Sequence, residues 1–266
     1  MDPATVDRRT SPIIGIAEED LPTRRMSIAG IGGGMDARVL SKDFSGPATR
    51  LVRIPPNWGT TVSGFFTASV GFFVVNGGMI FGDVMVRSLD YVFVPESKVI
   101  TGLRSVEPTL ALVMTAGPVR YETTAGGGSA ELKVARYQEG DWKPLPEQPG
   151  RFVRNLWDSP LETTWLGAAR DWSYDTGPWH RHDTIEEFFV LKGHISFVDM
   201  EERDPVLHSY SVGGYGCRPA GTLHVGPGSG SSEDTLMFHR SLGPLTTDWV
   251  LLDRGDEGDS EPKNAS

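Results

Sequence analysis

The sequence predicts an all-β protein made of two tandem domains, and three observations carry that expectation. Its 32 Gly and 19 Pro interrupt short β-branched and aromatic runs, and no long segment keeps a helical period. The order of local patterns in the first half recurs in the second. A length of 266 residues fits two domains of ordinary size.

The repeat sets the domain boundaries. Phe72–Gly77 (FFVVNG) matches Phe188–Gly193 (FFVLKG) 116 residues later. Tyr91–Pro95 matches Tyr215–Pro219 at an offset of 124, and Leu110–Pro118 matches Leu236–Pro244 at 126. The growing offset places extra residues of the second copy in one hairpin, around Val198–His208.

In chain order, residues 1–36 are expected as an N-terminal extension, its first 25 or so mobile or lightly docked for want of apolar periodicity. The first β domain covers 37–135, with strands at Thr49–Ile54, Gly71–Val75, Met79–Val84, Tyr91–Val94 and Leu110–Met114. The Pro-rich segment 136–149 reads as a linker, 150–252 as the second domain, and 253–266 as a disordered acidic tail.

Composition narrows the partners. The formal charge is −10 and no Lys/Arg stripe could neutralise a row of phosphates, so no nucleic-acid partner is expected. No apolar run approaches the roughly 20 residues that span a bilayer, so no membrane partner is expected. A lone Cys217 excludes an intrachain disulfide, and Met1-Asp2-Pro3 opens no signal-peptide pattern. The expectation is a cytoplasmic protein.

The chemistry concentrates in the second domain. His180 and His182 are two residues apart, which on a strand puts both imidazoles on one face. Glu186 follows four residues on, and His224 lies in a separate strand-turn segment. Three imidazole nitrogens and one carboxylate suit Fe(II), Mn, Ni, Cu or Zn and suit Mg or Ca poorly.

These residues carry a resemblance. His180-x-His182-x3-Glu186-x6-Gly193, with Gly177 upstream, resembles the first cupin motif, and Gly213-x5-Pro219-x-Gly221-x2-His224 resembles the second. The fit departs at Gly228, where a frequent Asn would stand, a position that is not a ligand. The run Tyr215–Pro227 is similar to ChrR-like and dihydroxyacetophenone-dioxygenase-like cupins. The resemblance implies two jelly-roll β-barrels and one divalent transition metal per chain, Fe(II) favoured, held by His180, His182, Glu186 and His224. Carried back through the repeat, these four fall on Gly64, Phe66, Val70 and Ile100, which cannot bind a transition metal. The first barrel is therefore expected to be structural or to enclose a dry pocket.

Other residues are read beside this set. Glu187 points to the opposite strand face and is expected to be solvated or to support the ligands from behind. His239 aligns with Val113 of the first half and shares a face with Met237. A general base, a substrate donor and plain strand packing all remain open to it. Trp165, Trp172, Tyr174 and Trp179 either wall a planar substrate or pack the core. Arg170 is a candidate to hold a carboxylate or enolate; Arg240 is a weaker one because it alternates away from His239, and Arg181 points away from the ligands. His208 and Glu201–Asp204 read as a solvated loop, and Cys217 as a small buried hydrophobe.

The resemblance implies an Fe(II) dioxygenase cleaving a small hydroxy-ketone, diketone or phenolic substrate, with O2 as co-substrate. An O2-independent lyase, decarboxylase, isomerase or cyclase is the alternative, and a ChrR-like metal- or ligand-sensing cupin a further one. A homodimer is compatible with the sequence.

Overall fold

The computed structural model describes residues 14–42, 47–123, 127–128, 130–252 and 263–264. Among them the secondary structure is strand throughout, except for one 3-10 turn at Glu18–Asp20. The chain forms two compact units: residues 21–140, and 141 onward together with 14–20. Among the described residues no helix is long and apolar enough to cross a membrane.

Each unit is a jelly roll. The large sheet of the first runs Lys133–Ala135, Tyr91–Val94, Val70–Asn76, Thr109–Thr115, Ala48–Ile54, Met35–Lys42 and Arg24–Met26. That of the second runs Ile14–Ala17, Gly214–Arg218, Glu186–Lys192, Thr235–Ser241, Thr163–Ala169, Arg151–Asp158 and Lys143–Pro144. The order is the same strand for strand. Even the irregularities repeat: a register shift at Leu110/Ala111 recurs at Val190/Lys192 with Met237 and Leu236, and one at Val39/Ser41 recurs at Asn155/Trp157. Matching offsets of pleat and bulge mean that equivalent residues face the same way in both units.

The expected strand Met79–Val84 is in fact a hairpin, Gly78–Phe81 and Val84–Arg87, because Gly82 takes φ 65° in a Gly-Asp turn that a continuous strand would not allow. Its counterpart, Ile195–Glu201 with Asp204–Tyr210, has arms of 7 residues instead of 4, which locates the extra residues of the second copy. The expected solvated loop at 201–204 is the tip of this hairpin, and His208 on its return arm meets Glu201 at 2.8 Å.

The ends of the domains differ from the expectation. Ile14–Ala17 pairs antiparallel with Gly214–Cys217, supplying an edge strand to the second unit, and Arg24–Met26 pairs with Met35–Ala37 in the first. Lys143–Pro144, expected in a linker, pairs with Phe152–Val153. The tail 253–266 lies outside the described residues apart from Lys263–Asn264, which pair in parallel with Val206–Leu207.

The first barrel is filled with apolar side chains. Met35, Phe66, Val70, Val94, Ile100 and Val113 all belong to one buried cluster. The second packs Trp172, Tyr174, Phe188, Phe197, Tyr210, Val225 and Met237 at one end. It leaves a polar region at the other.

Candidate metal centre

His180 and His182 sit on the strand Trp179–His182, where alternation turns both rings inward and turns Trp179 and Arg181 the other way. Arg181 pairs with Asp248 on the neighbouring strand, at 2.7 Å and half exposed. His224 arrives from the loop after Pro219 and is tied to His180 by reciprocal backbone hydrogen bonds of 3.2 and 2.9 Å. Gly64 and Ile100 make the same rung in the first unit, so the correspondence inferred from the repeat holds at the level of single hydrogen bonds.

The three histidines are buried, and a ring nitrogen from each lies within 4.8 Å of the others. His182 Nδ1 lies 3.3 Å from the Thr246 carbonyl and His224 Nδ1 2.8 Å from the Thr222 carbonyl. A carbonyl only accepts, so in both rings Nδ1 bears the proton and Nε2 presents a lone pair. His224 Nε2 is buried without a hydrogen-bond partner, as a nitrogen reserved for a cation would be. His180 Nδ1 faces the Gln148 amide nitrogen at 3.4 Å.

Glu186 is aimed at the cluster. Its Oε2 is 3.2 Å from His224 Nε2 and 3.9 Å from His182 Nε2. Arg218, its cross-strand partner, donates to the same oxygen at 2.9 Å, and His239 Nδ1 donates to Oε1 at 3.0 Å. Burial pushes the Glu186 carboxyl up, but Arg218, the neighbouring His224 imidazole and the hydrogen bond from His239 outweigh it and hold the group well below the usual carboxylate range. Burial, reinforced by its fellow histidines, drives His180 well below the usual imidazole range, and burial lowers His182 to about 4 against the pull of Glu186. At neutral pH His180 and His182 are therefore neutral beside one carboxylate, and imidazoles with a carboxylate are the donor set that borderline transition metals prefer.

Behind the donors lies a charged network. Arg218 is 1% exposed, contacts Asp199 at 3.3 Å as well as Glu186, and stacks over Phe188 and Phe197 at 4.8 Å. Asp199 Oδ1 also accepts from the Val225 backbone at 3.3 Å, where Val225 takes φ 52°. A β-branched residue rarely adopts that conformation, so the bond to Asp199 helps hold the chain as it leaves His224.

A cavity of about 90 Å³ adjoins the cluster, bordered by His180, His182, Glu186, Trp165, Trp249 and Arg151 among others. A wider cleft of about 410 Å³, bounded by Arg181, Asp183, Gly221 and Asp248, shares His182 with it.

The structure sorts the expected substrate residues. Trp165 borders the cavity and stacks on His239 with ring centres 5.0 Å apart. Trp172 and Met237 belong to the core instead, and Trp179 packs on Gly226, where a Cβ would come within 2.4 Å of its ring. Arg170 is exposed and lies over Phe152 at 5.2 Å, because it falls in the turn after its strand and not on the inward face. Arg240 faces away and is bound to Glu162 at 2.7 Å and near Glu187 at 3.7 Å, so neither arginine reaches the centre. Glu187 is accordingly buried and paired, not solvated. Cys217 is buried.

Among the cavity residues that escaped the sequence reading are Gln148 from the supposed linker, Arg151 at the start of the second domain, Arg218, and Trp249, whose ring is 4.9 Å from His180. Arg218 had a signal, a lone charge ending the otherwise uncharged buried strand Gly214–Arg218 directly opposite Glu186.

Solved structures share this architecture. A protein of Nostoc punctiforme, named provisionally as a dioxygenase, superposes with a TM-score of 0.75 at 18% identity, covering 91% of this chain and 88% of that one. The fold is that of the cupins. Oxalate decarboxylase of Bacillus subtilis superposes at 0.63 in two structures, one of a tryptophan-to-tyrosine variant at 12% identity and one at pH 4.6 at 11%, covering 91% of this chain and 80 to 81% of the other. No protein-family profile and no curated protein matches the sequence.

Proposed function

We propose that the second barrel is the catalytic centre of a metal-dependent enzyme, in which His180, His182, Glu186 and His224 hold one divalent transition metal ion, Fe(II) in first place. The observation that carries this reading is the set of three buried imidazole nitrogens within 4.8 Å of one another beside an ionised carboxylate. When bound, such an ion supplies Lewis acidity to a substrate oxygen and open coordination positions for substrate and O2.

The chain's own residues prepare the site. Arg218 and His239 fix the Glu186 carboxylate from two sides, and the Thr222 and Thr246 carbonyls fix two imidazoles. His239 keeps its Nδ1 proton on Glu186, and burial lowers its pKa despite that bond, so its role is to position the carboxylate. Trp165, Trp249, Leu145 and Leu245 line the cavity with apolar surface and exclude bulk water.

The leading reading is a dioxygenase that cleaves a small hydroxy-ketone, diketone or phenolic substrate. An O2-independent decarboxylase or lyase is the second, favoured by the guanidinium groups of Arg151 and Arg218 bordering the same cavity. Elemental analysis of untagged protein, followed by oxygen uptake after anaerobic Fe(II) loading with a panel of hydroxy-ketones, diketones, catechols and carboxylic acids, separates them. About one iron per chain with substrate-dependent uptake supports the dioxygenase. Mn, Zn or Ni without uptake moves the assignment to the second class, and protein that retains no transition metal removes both.

A further inference from the structure

We propose that Arg151 is the anion-binding residue of the cavity, so that the substrate is a small carboxylic acid with a second oxygen beside its carboxylate, such as a 2-oxo acid, a 2-hydroxy acid or a short dicarboxylate. The inference rests on the reading above that the histidines hold a metal, and it sets a carboxylic acid in place of the hydroxy-ketones, diketones and phenols as what that metal acts upon.

Arg151 opens the strand Arg151–Asp158, is 6% exposed and borders the cavity. Its Nη1 donates to the Gln148 side-chain oxygen at 2.8 Å, and its Nε is buried with no hydrogen-bond partner. Among the described residues no carboxylate lies within ion-pair distance of it, whereas Arg218 has two, Glu186 and Asp199. Burial lowers its pKa to about 10, which still leaves it protonated at neutral pH. The guanidinium stacks over the Trp172 ring at 5.1 Å and the Phe197 ring at 5.6 Å, which offsets part of the cost of burying it; the charge still has no fixed anion, and its retention points to an anionic partner that comes and goes.

The first barrel supplies the comparison. Arg151 opens its strand as Met35 opens Met35–Lys42, and Arg218 ends its strand as Val94 ends Tyr91–Val94. Met35 and Val94 sit in the apolar core there, so a cupin barrel of this chain closes without either arginine. The guanidinium groups occur together with the histidines, in the barrel that has the donor cluster.

Charge and size agree. Glu186 and Asp199 match Arg151 and Arg218 in number, so a divalent cation among the histidines leaves two positive charges uncompensated in a buried space. A carboxylate answers one of them, taking the Arg151 fork with one end, and a neighbouring oxyanion or second carboxylate facing the histidine cluster answers the other, whereas a neighbouring carbonyl supplies only a lone pair there. A cavity of about 90 Å³ admits a molecule of a few heavy atoms and not a drug-sized ligand.

Calorimetric titration of the metal-loaded protein with pyruvate and with pyruvamide, its neutral isostere, tests this. Wild type should bind pyruvate at least about tenfold more tightly than pyruvamide, and Arg151→Met should weaken pyruvate by about thirtyfold, with metal content and pyruvamide affinity unchanged. Arg151→Lys, which keeps the charge and loses the fork, should fall between, and it serves if the Met variant fails to fold. Pyruvate affinity equal in wild type and either variant, or a preference of wild type for pyruvamide, overturns the proposal. Protein that holds no metal defeats the functional reading separately; the titration of chelator-treated protein then decides Arg151 alone, by whether pyruvate binding depends on it.

Discussion

At Glu186 a carboxylate only 4% exposed meets Arg218 at 2.9 Å, His239 at 3.0 Å and His224 at 3.2 Å. Removing its charge strands Arg218 in a buried site with half of its counter-ions, a loss of about 3 kcal/mol. Glu186→Gln should therefore lose metal and, in the presence of chelator, unfold at clearly lower denaturant; His224→Gln should lose metal with a smaller change, because it takes no counter-ion from Arg218. Equal unfolding midpoints of the two variants would contradict the charge argument. The depressed histidines set a pH window as well. His182 titrates near 6.5 when unfolded and about 4 when folded, so between these values the unfolded chain binds the extra proton. Stability of the metal-free protein should then rise with pH across that window and be lost as pH falls from 6.5 toward 4, by up to about 1.4 kcal/mol per unit for this group. Denaturant midpoints measured along that range should show a shallower slope in His182→Asn.

Among elements, the strand Ile14–Ala17 closes the edge beside Gly214–Arg218, the strand that carries Arg218 and leads toward His224. A variant lacking residues 1–20 should exchange the amides of 214–217 faster and bind metal more weakly, whereas exchange in the first unit should be unaltered. The element scale is also where sequence reading succeeded and failed for physical reasons. Period-two alternation placed His180, His182 and Glu186 correctly, because a buried strand leaves no freedom about which face a side chain takes. The same rule turned Arg240 away from the centre. It had no purchase on Arg170, which lies in a turn, or on Trp172, whose inward direction does not say whether it meets core or cavity; it did put Trp179 on the face opposite the histidines. Gln148 was illegible because a Pro-rich stretch reads as a linker, while in the folded chain Gln148, fully buried, approaches His180 across 32 positions of sequence; Arg151, at the very start of the second domain, stood too far from the histidines in sequence to be joined to them.

For the molecule as a whole, two copies of one architecture differ in chemistry at the positions around the donor cluster. The second unit has histidines, Glu186 and two arginines where the first has Gly64, Phe66, Val70, Ile100, Met35 and Val94. The first copy has no room to regain a ligand at its first position: a Cβ on Gly64 would lie 2.3 Å from the Glu122 carbonyl oxygen and 2.6 Å from the Tyr121 ring. Gly64→Ala should lower the thermal midpoint of the protein, and its metal content per folded chain should match wild type. Metal at a hundredfold excess over its dissociation constant adds about 2.7 kcal/mol to whatever it binds. Hydrogen exchange should consequently slow on metal addition in 179–186 and 214–225, with no change in 63–70 and 91–101; slowing in both sets would refute a single centre. The rung between His180 and His224, matched hydrogen bond for hydrogen bond by Gly64 and Ile100, gives this chain an unusual property for an experimenter. It carries its own blank: an influence that acts on the barrel as such must register at both rungs, and one that acts through the donors at a single rung, within one molecule and one sample.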